Sequence, residues 1–282
     1  MTHALRQRHK VIQREAERVI ELRNRVLLQR NVSDQDRNRL SNSLLAYANA
    51  FHSEHPSTQL VALWFSVEAL LPSPPPKAIR IRAFADDMLA AHKRLYLKHV
   101  FQWLFVDFLR MYNEQFTEIL DGVKGYGRRL SQFVASMCFE EYRDSIGKQL
   151  FELANQSPLA QQRGLVLHRA AKNCADLYRL AEDSCKLVGW QIHRIYRERN
   201  RIAHQANPSK NVSTLITNLN EFYLCVLEAF SDEVALTDGL PFDEIFSRIR
   251  LQEDYRSQAI KKTHGEGPLT AQNASSVLGF AL

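Results

Sequence analysis

Apolar residues recur along this chain at spacings of three and four, the period of a helix with one buried face. The first such stretch runs from about Leu5 to Gln29. Val11, Ile12, Val19, Ile20, Val26 and Leu27 are apolar there and charges fill the gaps, which predicts a long amphipathic helix. Asn31 to Asp34 breaks it, and Ser33 or Asp34 can cap a second helix reaching about Ala50. The two make a hairpin, read as a packing element rather than a dimerisation arm. A third helix, Gln59 to Leu71 with Ser57 or Thr58 as cap, sends Leu60, Leu63, Trp64, Val67, Leu70 and Leu71 to the core. The proline-rich run Leu71 to Pro76 must end it, because proline lacks a donor and clashes with the preceding turn. Helical patterning then covers Lys77 to Phe116 with room for one break, Arg129 to Asn155, Pro158 to about Ala203, Asn211 to Phe230, and Pro241 to about Ser257. Gly122 to Gly127 reads as a loop, and Asn207-Pro208 as a stop. From Lys262 onward Gly, Ser, Thr, Ala and Gln predominate, so a loose tail is expected.

Only 10 glycines and 9 prolines interrupt 282 residues, which argues against an all-β fold. The expected class is all-α. Its expected parts are an N-terminal helical hairpin (1–55), a helical domain (56–235) and a C-terminal helix with a flexible tail (236–282).

Composition removes several function classes. The cysteines, Cys138, Cys174, Cys185 and Cys225, are scattered without a CxxC pair, against a structural zinc site or a disulfide framework. A reducing cytoplasm is the simplest expectation. The N-terminus is basic but has no apolar core of a signal peptide. Leu95 to Tyr112 is the most apolar run, yet Lys98, His99, Asp107 and Arg110 interrupt it, so it reads as a core helix rather than a membrane span. Gly125-Tyr126-Gly127 lacks the Gly-Lys-Ser/Thr ending of a phosphate-binding loop and reads as a turn. A net charge of +6 suits an anionic partner only weakly, so the placement of the charge matters more than its sum.

That charge is concentrated between His193 and His204, where Arg194, Arg197, Arg199 and Arg201 fall within eight residues. On a helix His193, Arg197, Asn200 and His204 share one face, and Val188, Ile192, Ile195 and Ile202 another. Arg199 falls in the apolar stripe, so it needs a buried partner or marks a site. The set suits RNA cleavage. Histidine titrates near neutrality and can move a proton. A guanidinium can hold phosphate oxygens and stabilise a phosphorane. Asn200 can orient either group, and no metal is needed if the RNA's own 2′-hydroxyl attacks.

The segment Arg199-Asn200-Arg201-Ile202-Ala203-His204 resembles the signature of HEPN domains: an Arg, a polar residue that is often Asn, then a His after four to six intervening residues. Arg94/His99, Arg163/His168 and Arg197/His204 also satisfy the bare spacing. Leu95 and Gly164 follow the first two arginines, where the signature wants a polar residue. The stretch Leu63-Trp64-Phe65-Ser66-Val67-Glu68-Ala69-Leu70-Leu71 is similar to the first helix of the ApeA-like branch, and the resemblance covers roughly residues 57–235. It implies a HEPN-type helical bundle with the hairpin added, and a metal-independent endoribonuclease of toxin or anti-phage type without cofactor. Its catalytic residues would be Arg199, Asn200 and His204. The alternative is a non-catalytic HEPN module for dimerisation and RNA or nucleotide binding.

Arg199 and His204 are five residues apart, a rotation of about 140° on an ideal helix, so they would not face one another. Either the helix ends within the motif or two chains assemble the site. The resemblance implies the second, a homodimer with a composite cleft, and leaves room for an antitoxin or another defence-system subunit as partner. Arg194 and Arg201 read equally as a solvated face or as guides for the RNA backbone. Arg197 is a further RNA-binding candidate, or pairs with an acid such as Glu68. Glu68 reads as a structural partner that positions an arginine, ahead of the alternative that it orients Arg199 or His204. Tyr196, like Trp64, Phe65, Phe101, Trp103 and Phe105, reads as core rather than as a base-stacking ring.

Overall fold

The computed structural model describes residues 17–28, 32–73, 80–205, 209–237, 239–265 and 267–282. The expectations for Val11, Ile12, Asn31, the prolines at 74–76 and Asn207-Pro208 lie outside them. The class is all-α. Among the described residues no strand forms, only an isolated parallel bridge between Phe139 and Leu269. Helix α1 covers 17–27. It is followed by α2 (Asp34–His52), α3 (Pro56–Leu70), α4 (Arg80–Leu120) and α5 (Arg129–Cys138). A short α6 (Glu140–Tyr142) leads into a π turn, π1 (Arg143–Gly147), and then α7 (Lys148–Leu153). Next come α8 (Pro158–Ala170), α9 (Cys174–Gln205), α10 (Val212–Val234), α11 (Phe242–Ala259) and α12 (Ala274–Leu278).

Several boundaries follow the expected signals. Ser33 caps α2, its side chain accepting from the Asp36 amide. The break allowed in the long fourth helix is a kink at Tyr112 (φ −136°, ψ 24°). Three boundaries differ from expectation. Helix α3 starts earlier, with His55 at the cap position and Pro56 in its first turn, where a missing N–H costs nothing. Phe139 is extended (φ −84°, ψ 134°) and divides the stretch expected as one helix from Arg129. The stretch from Pro158 is likewise two helices, because Asn173 accepts from the Asp176 amide and opens α9.

The chain forms two compact units, each drawn from separate parts of the sequence. Unit 1 comprises 1–92 and 187–251, and unit 2 comprises 93–186 and 252–282. These do not coincide with the contiguous segments 1–55, 56–235 and 236–282.

In unit 1, α3 packs against α2 and α10. Leu60, Leu63, Trp64 and Val67 are fully buried there, as their spacing predicts. Polar side chains tie the three helices. Ser43 donates to the Ser66 carbonyl at 2.7 Å and lies 3.0 Å from the Tyr223 hydroxyl, and Tyr47 donates to Asn220 at 2.9 Å. Arg39 donates to the carbonyls of Leu70 and Leu71, satisfying the C-terminal end of α3, and pairs with Asp243 at 2.7 Å.

In unit 2, Phe108, Phe116 and Phe133 pack ring against ring in a core that also takes Leu97, Phe101 and Leu177. The C-terminal stretch is not the loose tail that its composition suggests. Leu269, Ala274, Val277 and Leu278 are buried in this core. The carbonyls of Gly265 and Gly267 accept from the amides of Ala175 and Cys174, at the otherwise unsatisfied start of α9. The buried Arg256 donates to the Val277 carbonyl at 2.7 Å. Gly279 follows with φ +81°, and a Cβ there would stand 2.7 Å from the Arg256 guanidinium, so only glycine fits.

Candidate nucleic-acid interface

Helix α9 runs without interruption through the arginine-rich segment to Gln205. Ile192 and Ile195 are fully buried, and they fix which face of the helix meets the rest of unit 1. At about 100° per residue, Trp190, His193, Arg194, Arg197, Arg201 and His204 share a sector of about 100° on the opposite side. Trp190 is 69% exposed, and His193, Arg194, Arg197 and His204 are exposed with it. Arg201 is half-buried. The result is a stripe of positive charge with a large flat ring at one end.

Arg199 points the other way, toward α3. Its Nη2 lies 3.7 Å from the Glu68 carboxylate, which is also 3.6 Å from Arg80. Its guanidinium stands over the Phe65 ring at 5.4 Å, and Nη1 donates to the Asn200 side chain at 3.0 Å. Its Nε is buried with no hydrogen-bond partner among the described residues. Glu68 is thus a nearly buried carboxylate between two guanidiniums. The α9 arginine that it pairs with is Arg199, which its alternative reading names. Arg197, for which Glu68 was one possible partner, is two residues away, on the exposed side.

A second carboxylate fixes the end of the helix. Glu198 is buried and accepts from Arg201 at 2.8 Å and from the Ser209 amide at 2.6 Å. Burial would push its carboxyl up, but the Ser209 and Arg201 hydrogen bonds outweigh that and hold it below the ordinary range. Arg201 is therefore committed to Glu198, and Arg194 and Arg197 remain the freer cations. Tyr196 is half-buried and tilted against the buried Trp64 at 5.5 Å, which fits its expected packing role.

Of the expected catalytic set, Arg199 and Asn200 are hydrogen-bonded and His204 is apart from Arg199. Because α9 is helical through the whole motif, about 140° separates the arginine from the histidine. One chain does not bring them onto a shared phosphate. Two rings expected in the core are exposed, Phe65 (47%) and Trp103 (59%). Phe65 forms the platform under Arg199, and Trp103 packs beside His99. Sequence reasoning passed over Trp190 and Glu198. Their signal was available: 190, 194, 197 and 201 form one helical stripe, and Glu198 stands three residues before Arg201.

Among the described residues no group of His, Cys, Asp and Glu is arranged to hold a metal ion, and no helix is long and apolar enough to cross a membrane. Chemically, the exposed stripe can hold a phosphate backbone and stack one base, with the His204 imidazole exposed at its end. No protein-family model, curated protein or solved structure matches the chain.

Proposed function

We propose that this protein is a metal-independent endoribonuclease of HEPN type, active as a homodimer and acting as a toxin-like or anti-phage effector. The observation that carries the reading is the division of the motif on α9. His204 is exposed at the end of a basic stripe, and Arg199, which donates to the Asn200 side chain, is held on the far side by Glu68. A site needing both then takes His204 from one copy and Arg199 from the other. The 2′-hydroxyl attacks the adjacent phosphorus and gives its proton to His204, Arg199 stabilises the phosphorane, and the P–O5′ bond breaks as His204 returns the proton to the leaving 5′-oxygen. The products are a 2′,3′-cyclic phosphate and a 5′-hydroxyl.

The test uses purified protein, labelled RNA and EDTA. Arg199→Ala and His204→Ala are each expected to lose cleavage. Mixing the two variants restores it, because a mixed dimer contains one complete site. If the parent leaves RNA intact, the enzyme reading fails, and if both variants cut like the parent, Arg199 and His204 are not its site. If mixed dimers form and stay inactive, the two-chain site fails.

A second reading is favoured by the several contacts that hold Arg199 in place. Here the exposed stripe of Trp190, Arg194 and Arg197 binds RNA and nothing is cut. Salt-sensitive binding without new RNA ends selects it.

A further inference from the structure

Unit 2 contains a cavity of about 510 Å³ between π1, α7 and α8. That size lies in the range of small-molecule sites. Its lining carries two cations, Arg143 and Lys148, and two carboxylates, Asp144 and Glu152, with His168 beside them. The Arg143 side chain is only 12% exposed. Its contacts are loose: Nη1 stands 3.4 Å from the Ala171 carbonyl, and Nε is 3.7 Å from Asp144, whose own side chain is 83% exposed. A guanidinium this deeply buried is normally held by a close counter-charge, and a solvated carboxylate at that distance screens it poorly.

The histidine reports the same imbalance. His168 Nδ1 is buried with no hydrogen-bond partner among the described residues. Burial, then Arg143 and Lys172, hold its imidazole below the ordinary value, and Asp144 opposes them. Two apolar side chains, Phe151 and Leu165, also line it. Phe151 meets the His168 ring edge-on at 5.7 Å, and Leu165 lies beside it.

Backbone geometry fixes the cationic corner. Arg143 opens a five-residue π turn, an irregularity that recurs at functional sites. At the end of that turn a Cβ on Gly147 would stand 2.6 Å from the Ser136 carbonyl and 3.8 Å from the Arg143 stem. The turn is therefore pressed against α5 with no room for a side chain, and the Arg143 stem leaves it beside Gly147.

We propose that this cavity binds a phosphomonoester of nucleotide size. Arg143 and Lys148 take the phosphate. The flat organic part lies on Phe151 beside His168, and Glu152 and Asn155 on the cavity wall serve its hydroxyl groups. This site belongs to unit 2 and does not depend on the α9 reading.

The experiment is an NMR titration of the whole protein, following the His168 C2 proton at constant ionic strength. The probes are adenosine monophosphate and inorganic phosphate. The monophosphate is expected to shift the resonance saturably below about 1 mM, and phosphate alone to bind about tenfold more weakly. Its binding also raises the pH midpoint of His168, since an added anion favours the imidazolium. Arg143→Gln keeps the stem and is expected to weaken binding about tenfold or more, and Lys148→Gln, at an exposed position that does not threaten folding, by severalfold. No saturable shift up to about 10 mM overturns the proposal, as does unchanged affinity in Lys148→Gln together with a folded Arg143→Gln. Equal affinity for phosphate and the monophosphate overturns the assignment of Phe151 and its neighbours to an organic part.

Discussion

Replacing Glu68 by Gln tests how Arg199 is held. The change keeps the volume and one carbonyl oxygen but removes a carboxylate that stands 3.7 Å from Arg199 and 3.6 Å from Arg80. At such distances each pair attracts by about 4 kcal/mol at an effective dielectric near 20, before the cost of desolvation is subtracted. The Arg80 side chain is 60% exposed, so water screens that pair and little of its attraction survives. The Arg199 and Glu68 side chains are 21% and 10% exposed, and their pair keeps more. Neither pair is close enough for a hydrogen bond, which limits the gain further. The expected loss is about 1–2 kcal/mol, most of it from leaving Arg199 without a counter-charge. Urea unfolding of the parent, Glu68→Gln, Arg199→Gln and the double variant gives the coupling between the two positions. About 1 kcal/mol of coupling is expected. A coupling below about 0.3 kcal/mol would show that Phe65 and Asn200 hold Arg199 without help from the carboxylate.

Two further outcomes follow from buried groups. Asp87 is buried, and burial raises its carboxyl from an ordinary 3.8 to about 6, with Asp86 and Asp243 adding to this and Arg250, at 2.6 Å, opposing it. A carboxyl with a raised folded-state value binds its proton more tightly when folded, so stability falls as pH rises from about 4 to about 6. Relative to Asp87→Asn, the parent should gain about 2–3 kcal/mol in urea unfolding between pH 7 and pH 4, and a loss instead would mean that the Arg250 pair dominates. Leu278→Ala removes a fully buried side chain and should cost about 2–4 kcal/mol, read as a lower melting temperature, whereas a loose C-terminal stretch would tolerate it.

Much of the local structure was legible in the sequence because it depends on neighbours along the chain. The three- and four-residue spacing of Leu60, Leu63, Trp64 and Val67 identified a helix and its buried face. The Ser33 cap needed only an amide three residues on. An arginine among Val188, Ile192 and Ile195 announced that it needed a partner before any partner was known. The breaks at Phe139 and Asn173 were less legible because apolar spacing continues across them. There an extended residue pairing with Leu269, and an Asn cap, interrupt the helix.

The tertiary structure alone decided which residues answer one another. Periodicity says which side of a helix is buried, but not the angle at which the next helix crosses it. That crossing brings Glu68 and Phe65 to Arg199 and leaves Arg197 in solvent. In unit 2, packing likewise leaves Trp103 exposed within an apolar run. The C-terminal stretch shows the same limit: its own composition is that of a tail, and the α9 amides and Arg256 give it a place. A helix needs only the hydrogen bonds of its own backbone, but a site needs side chains far apart in sequence, and only packing brings them together.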